Sequence, residues 1–271
     1  MAIGNDKNKN EAIQNQKGKP DSKKINENIE FLCSYFKRQI DVIGSLIVSD
    51  NILKQAKPTD LQVLLYKKSL LVAMLDSMAG FAFSEKHFPD LHNKNRERFI
   101  RFIKEYANWN NGNLINVPFL YDRLSKSKDR EVCNGNLTKH LIERLSQFDT
   151  SAGKAIPVDR IDEEPKVLSL LVRTELEKKE IEKCQHYSIL YRYRNYLVHE
   201  AREPGLGMEI SKATDAYYHG YLGKEGEWFL VYPLDLFKKL CSETIDNLKH
   251  YLIDSQIDPY EYDILEDTSR F

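Results

Sequence analysis

A mainly α-helical fold, a helical bundle with a helical and loop insertion and a small β-hairpin before the last helix, is what the sequence predicts. Three observations carry that prediction. Long segments repeat apolar residues at spacings of three and four, the stripe of helices packed on a shared core. One of these segments, Leu70 to Leu75, is apolar all round, as a helix packed on several sides must be. A strand signal occurs in one place only, the aromatic stretch between Ala216 and Tyr232.

Residues 1–24 are Asn, Lys, Gln and Gly with almost no hydrophobic side chains. They bury too little to offset ordering entropy, so a disordered arm is expected. The first helix begins at Ile25 and carries Ile29, Leu32, Phe36, Ile40, Ile43 and Ile47 to about Ser49. Pro58-Thr59-Asp60 supplies a break and an N-cap, after which Leu61, Leu64, Leu65, Leu71, Leu75 and Met78 define a second helix at the centre of the bundle. Residues 89–165 are less regular and read as an insertion, with a basic helix near Asn93 to Tyr106 and another from Leu137 to Phe148. A long helical tract, unbroken or with one break, then runs from about Pro165 through Leu190, Tyr193 and Leu197 to about Ala201, stopped by Pro204-Gly205. Two aromatic strands around a glycine-flanked turn form the hairpin. Pro233 opens a closing helix with Leu234, Phe237, Leu240, Ile245, Leu248 and Leu252 on its stripe. The expected organisation is one domain over residues 25–255 and an acidic tail over 256–271.

Composition bounds the function. With 41% hydrophobic and 30% charged residues, the 271-residue chain has the balance of a folded protein. A net charge of −1 excludes a polycation that coats nucleic acid, so any RNA site must be local. No stretch reaches the ~20 apolar residues that span a bilayer, and the first residues lack the apolar core of a signal peptide. No membrane partner and a cytoplasmic location are therefore expected. Cys33, Cys133, Cys184 and Cys241 are far apart and form no zinc pattern. Reduced thiols, no metal and no cofactor are the expectation.

The chemistry concentrates in Ser188-Ile-Leu-Tyr-Arg-Tyr-Arg-Asn-Tyr-Leu-Val-His-Glu200. On a helix Arg192, Asn195 and His199 fall close to one face, because steps of three, four and seven nearly return to the same azimuth. Arg194 is about 100° from Asn195, a gap its long stem can cross. Asp76 interrupts an apolar helix and, if buried, needs a partner, Arg192 or Arg194. That pair serves either a site or the fold alone.

Arg194, Asn195 and His199 resemble the HEPN superfamily motif, in which Arg, often followed by Asn, precedes His by four to six intervening residues near the end of a late bundle helix. The likeness extends to an antiparallel bundle with an apolar second helix, covering helices one and two and residues 166–255. What it implies is a metal-independent endoribonuclease, in a bacterial defence or toxin setting, with a cognate antitoxin or regulator as a further partner. His199 would move the proton of a ribose 2′-hydroxyl or of the leaving oxygen. Arg194 would hold the scissile phosphate. Asn195 would orient His199 or a phosphate oxygen, with Arg192, Asp76 and Glu200 in support. Because one imidazole does not easily serve both sides of an in-line displacement, a homodimer pairing two motifs is implied. Some toxin members carry Tyr two residues after the His, where this chain has Ala201.

Other readings stay open. His199 and Arg194 could simply meet a helix C-terminus as cations. The run Lys94, Arg96, Arg98, Arg101 and Lys104 is either a phosphate track, with Arg98, Arg101 and Tyr196 touching single-stranded or structured RNA, or a solvated face. Tyr217, Tyr218, Tyr221, Trp228 and Phe229 either stack bases or pack the hairpin on the core. The alternative function is a non-catalytic HEPN module that binds RNA, a nucleotide or a protein.

Overall fold

The computed structural model of the chain describes residues 22–47, 60–148, 154–205, 209, 212–221 and 224–261. The elements in order are α1 (Ser22–Ser45), α2 (Asp60–Ala82), α3 (Asn95–Tyr106), α4 (Val117–Ser125), α5 (Arg130–Cys133), α6 (Asn136–Ser146), β1 (Ala155–Pro157), α7 (Val158–Ile161), α8 (Pro165–Ser169), α9 (Glu175–Lys183), α10 (His186–His199), β2 (Tyr217–Tyr221), β3 (Lys224–Val231) and α11 (Leu234–Ser255). The fold is mainly helical, with a three-stranded antiparallel sheet in which β2 pairs with both β1 and β3.

Amphipathic stripes place the helices. Helix α11 packs on α1 and α2, and α10 lies against α2 and α3. Their shared core includes Ile29, Leu71, Leu75, Met78, Leu190, Leu240, Ile245 and Leu248, each with 0% exposure. Burying each such side chain favours the fold by ~1.5–3 kcal/mol relative to leaving it exposed. Helix α1 starts at Ser22, so the part of the expected arm at 22–24 is helical, and the rest of that arm lies outside the described residues. The break at Pro58-Thr59, the hairpin turn and most of the acidic tail also lie outside them. Within the tail, Asp258 accepts two hydrogen bonds of 3.0 Å from Asn28 on α1.

Three sequence expectations change. Helix α2 is not covered all round: Tyr66 and Leu70 are 59% and 46% exposed. Residues 89–165, read as an insertion within the one domain, contribute Phe99, Phe102, Leu120, Leu137 and Leu141 to the same core. They also supply β1, whose Ala155, Ile156 and Pro157 align with His219, Tyr218 and Tyr217. Three residues are too few to show a period of two, so no alternation announced it.

The third change is the tract from Pro165, which is three helices with two breaks where at most one was expected. A capping box restarts the chain at α9: the Thr174 hydroxyl accepts from the Glu177 amide at 3.2 Å, and the Glu177 carboxylate accepts from the Thr174 amide at 2.9 Å. Between α9 and α10 backbone bonds leave the helix for a neighbouring strand-like segment. The Cys184 carbonyl accepts from the Asn116 amide at 2.9 Å and the His186 amide donates to the Leu114 carbonyl at 3.1 Å. Tyr187 then crosses close over Gly112, where a Cβ would lie 2.3 Å from the ring, a position open only to glycine.

The segment after α10 is latched from below. Lys68 on α2 has 0% exposure, and its ammonium donates to Glu203 and to Glu209, each at 2.9 Å. Glu203 also accepts from the Tyr193 hydroxyl at 2.6 Å, and Glu209 from the Leu234 amide at 3.1 Å. A buried ammonium needs such partners. Together they set where the chain runs once it leaves His199.

Candidate functional site

His199 is the last residue of α10, and the chain turns left-handed two residues later at Ala201, φ 49°. Its imidazole is therefore exposed at a helix end rather than packed within a bundle. Arg194 reaches it: guanidinium Nη1 lies 2.9 Å from His199 Nε2 and donates to Asn195 Oδ1 at 3.0 Å. Nη2 donates to Asp76 Oδ2 at 2.6 Å, an ion pair with 13% and 21% side-chain exposure. Five residues of helix separate the backbones of Arg194 and His199 by about 140° in azimuth. The arginine stem closes that gap.

A guanidinium has no acceptor, so in this contact Nη1 donates and Nε2 accepts. The cluster sets an imidazole beside a permanent cation whose own position is fixed by a carboxylate. Two atoms in it keep spare capacity, Asp76 Oδ1 and Arg194 Nε, both buried with no hydrogen-bond partner among the described residues. Such a cluster can bind an anion at the guanidinium and accept or return a proton at the imidazole.

The remaining candidates fall in different places. Arg192 makes no hydrogen bond or ion pair to this cluster; it stands over the Phe119 ring at 4.9 Å. Asp76 takes Arg194 as its partner. Glu200 pairs with Arg202 at 2.6 Å, and Arg202 in turn lies 4.5 Å over the Tyr196 ring. In α3, Arg98 donates to Asn95 Oδ1 at 3.0 Å. Arg101 pairs with Glu105 at 2.8 Å and sits over Phe83 and Phe88 at 4.7 and 5.1 Å. Both guanidiniums are thus engaged with side chains of their own neighbourhood. Of the hairpin aromatics, Tyr217 and Tyr218 are buried, whereas Trp228 and Phe229 are half-buried.

Two features escaped sequence reasoning. A cavity of about 870 Å³ opens along α10 between α4, α6 and the sheet. Beneath it runs a fully buried polar chain. Asp162 Oδ2 accepts from His186 Nε2 at 2.6 Å, and Oδ1 accepts from the Val117 amide at 2.9 Å and the Tyr218 hydroxyl at 2.8 Å. His186 Nδ1 meets the Tyr232 hydroxyl at 2.8 Å. Burial pushes the Asp162 carboxyl above the usual range, opposed by the hydrogen bonds from His186, Val117 and Tyr218. Burial also raises the Tyr218 and Tyr232 hydroxyls well above the ordinary tyrosine value, so both remain O–H donors. His186 and Asp162 are 24 residues apart on different elements, a pairing no local pattern encodes.

Cys33, Cys184 and Cys241 are buried free thiols, and burial raises Cys33 to about 11 and Cys184 to about 12. Among the described residues no group of three or more His, Cys, Asp or Glu side chains is disposed around a common metal position, and no helix is long and apolar enough to cross a membrane. Set against known proteins, the chain matches no family model, no curated protein and no solved structure.

Proposed function

We propose that this chain is a metal-independent endoribonuclease of HEPN type that acts as a homodimer. The reading rests on one observation, the 2.9 Å contact between the Arg194 guanidinium and the exposed His199 imidazole. In the reaction, a backbone phosphate of RNA draws Arg194 onto its oxygens and releases the Nε2 lone pair. His199 then takes the proton from the 2′-hydroxyl, and the 2′-oxygen attacks phosphorus as the bond to the 5′-oxygen breaks. A second His199, from the partner subunit and entering the step as the imidazolium, gives its proton to that leaving oxygen and ends neutral, while the first ends protonated. The products carry a 2′,3′-cyclic phosphate and a 5′-hydroxyl. Arg194 stabilises the charge that develops on the non-bridging oxygens.

Tests follow from each part. Wild-type protein incubated with mixed RNAs in EDTA is expected to yield those two end groups, and a 2′-deoxy sugar at the cut is expected to block the reaction. Asp76→Asn is expected to lower kcat about tenfold with little change in KM, because a charge-assisted hydrogen bond is worth ~1.5–3 kcal/mol. Equal rates for the two proteins would remove Asp76 from the mechanism.

Support for the dimer comes from an open apolar face beside the cluster. The Ser69 hydroxyl donates to the Leu197 carbonyl at 3.3 Å, holding the end of α10 against α2. There Tyr66, Leu70 and Val198 are 59%, 46% and 39% exposed. A second copy covering this face would bring two motifs together about a two-fold axis. Leu70→Asp is expected to shift the mass measured by light scattering from dimer to monomer and to abolish cleavage. A monomeric, fully active wild type would refute this arrangement.

A second reading draws on the same contact. A chain that only binds RNA has no need to release His199 from Arg194, and it would show RNA affinity without new termini. A bacterial defence or toxin setting, with a neutralising partner, belongs to the HEPN reading and stands or falls with it.

A further inference from the structure

We infer that the aromatic-walled cavity along α10 is a subsite for one unstacked base of single-stranded RNA, held beside the phosphodiester that reaches Arg194 and His199. This inference rests on the ribonuclease reading above. Ile189, Arg192, Tyr196 and His199 recur at steps of three, four and three, which is one stripe of a helix. Ile189, Arg192 and Tyr196 line the cavity, and His199 continues the stripe one turn on, ~4.5 Å further along the axis. A strand following that stripe passes from the cavity to the imidazole without crossing the helix.

The lining chooses the occupant. Phe119, Phe148, Trp228 and Phe229 present half-buried rings around the space, together with Tyr196. Ring faces suit a planar base, which stacks on them whatever its identity. At about 870 Å³ the cavity is large enough for a base and its sugar, within the ~300–1,000 Å³ range of sites that enclose small ligands. Charge points the same way. Arg192 is exposed, stands 4.9 Å over Phe119, and has no carboxylate partner among the described residues. Its guanidinium is placed to receive the phosphate of the stacked nucleotide, as Arg194 receives the next. The other cation on this wall, Lys126, is already paired with Asp122. Which bond is cut would then depend on which nucleotide can unstack.

The test separates binding from cleavage. The chain has two tryptophans. Trp109 is buried and bonded to Asp215 at 2.9 Å, whereas Trp228 lines the cavity. A short 2′-deoxy oligonucleotide, which cannot be cut by 2′-hydroxyl attack, is titrated against the full chain while tryptophan fluorescence is read. Saturable quenching is expected in the wild type and absent in Trp228→Leu. An abasic oligonucleotide of equal length is expected to bind at least tenfold more weakly, and Phe119→Ala to raise Kd for the base-containing strand about tenfold. Equal affinity for the two strands, or saturable quenching by decanoate with none by oligonucleotide, overturns the subsite. Base-dependent quenching with no cleavage of any RNA supports base capture and sinks the ribonuclease reading. Cleavage that is unchanged in Phe119→Ala and in Trp228→Leu sinks the subsite alone.

Discussion

His199→Ala is expected to lower RNA cleavage by ~10²–10⁴-fold, the usual contribution of a positioned general acid–base group. Both copies of the imidazole are lost in a dimer, so the upper part of that range is anticipated. The fold should not notice. The side chain is exposed at a helix end, and exposed substitutions usually change stability by no more than ~0.5 kcal/mol. The melting temperature and the light-scattering mass of the variant are therefore the controls, and cleavage rate is the readout. Arg194→Ala is a poorer probe, because it strands the Asp76 carboxylate at 21% exposure and mixes stability with catalysis. Arg194→Lys keeps the charge but lacks the fork that bonds Asp76, Asn195 and His199 together, so a large loss of rate is expected there too. A His199→Ala protein that cuts RNA at the wild-type rate would end the catalytic reading.

Asp162→Ala is expected to produce the largest loss of stability. It leaves the His186 imidazole, the Tyr218 hydroxyl and the Val117 amide without their acceptor inside the core. Each buried polar group left without its hydrogen-bond partner costs ~1–3 kcal/mol, against a total of ~5–15 for an ordinary domain. The urea midpoint should fall accordingly, with the slope of the transition little changed. Asp162→Asn keeps one acceptor oxygen and should fall between the variant and the wild type. A midpoint for Asp162→Ala close to wild type would mean that water or a rearranged hydroxyl replaces the carboxylate. Because Tyr218 also lines the cavity, the same substitution is expected to weaken base-dependent binding in any fraction that folds.

The helical part of the fold was legible where burial followed a helical period. The stripes of α1 and α11 were read from spacing alone: Ile25, Ile29, Leu32, Phe36 and Ile43 and the positions from Leu234 to Leu252 are buried, whereas α1 ends at Ser45 and Ile47, expected on its stripe, is 86% exposed. The three short helices from Pro165 to His199 were not separated, because what interrupts them is a capping box and a strand-like neighbour at Ile115. The candidate cluster was partly legible. Helical geometry placed Arg192, Asn195 and His199 on one face and left Arg194 one stem-length away, whereas Arg194 joins Asn195 and His199 and Arg192 stands over Phe119; Asp76 stood out as a carboxylate in an apolar run. Which arginine Asp76 would choose was open.

The sequence by itself determined the class of fold and the residues able to do chemistry, since both depend on local periodicity and on side-chain identity. Tertiary structure alone decided the rest. It paired Asp76 with Arg194 rather than Arg192, buried Lys68 between two glutamates, linked Asp162 to His186, and lined an aromatic cavity with residues drawn from six separate segments. The physical reason is range: a helical stripe is set by neighbours three and four residues apart, whereas a buried charge must find its partner anywhere in the chain.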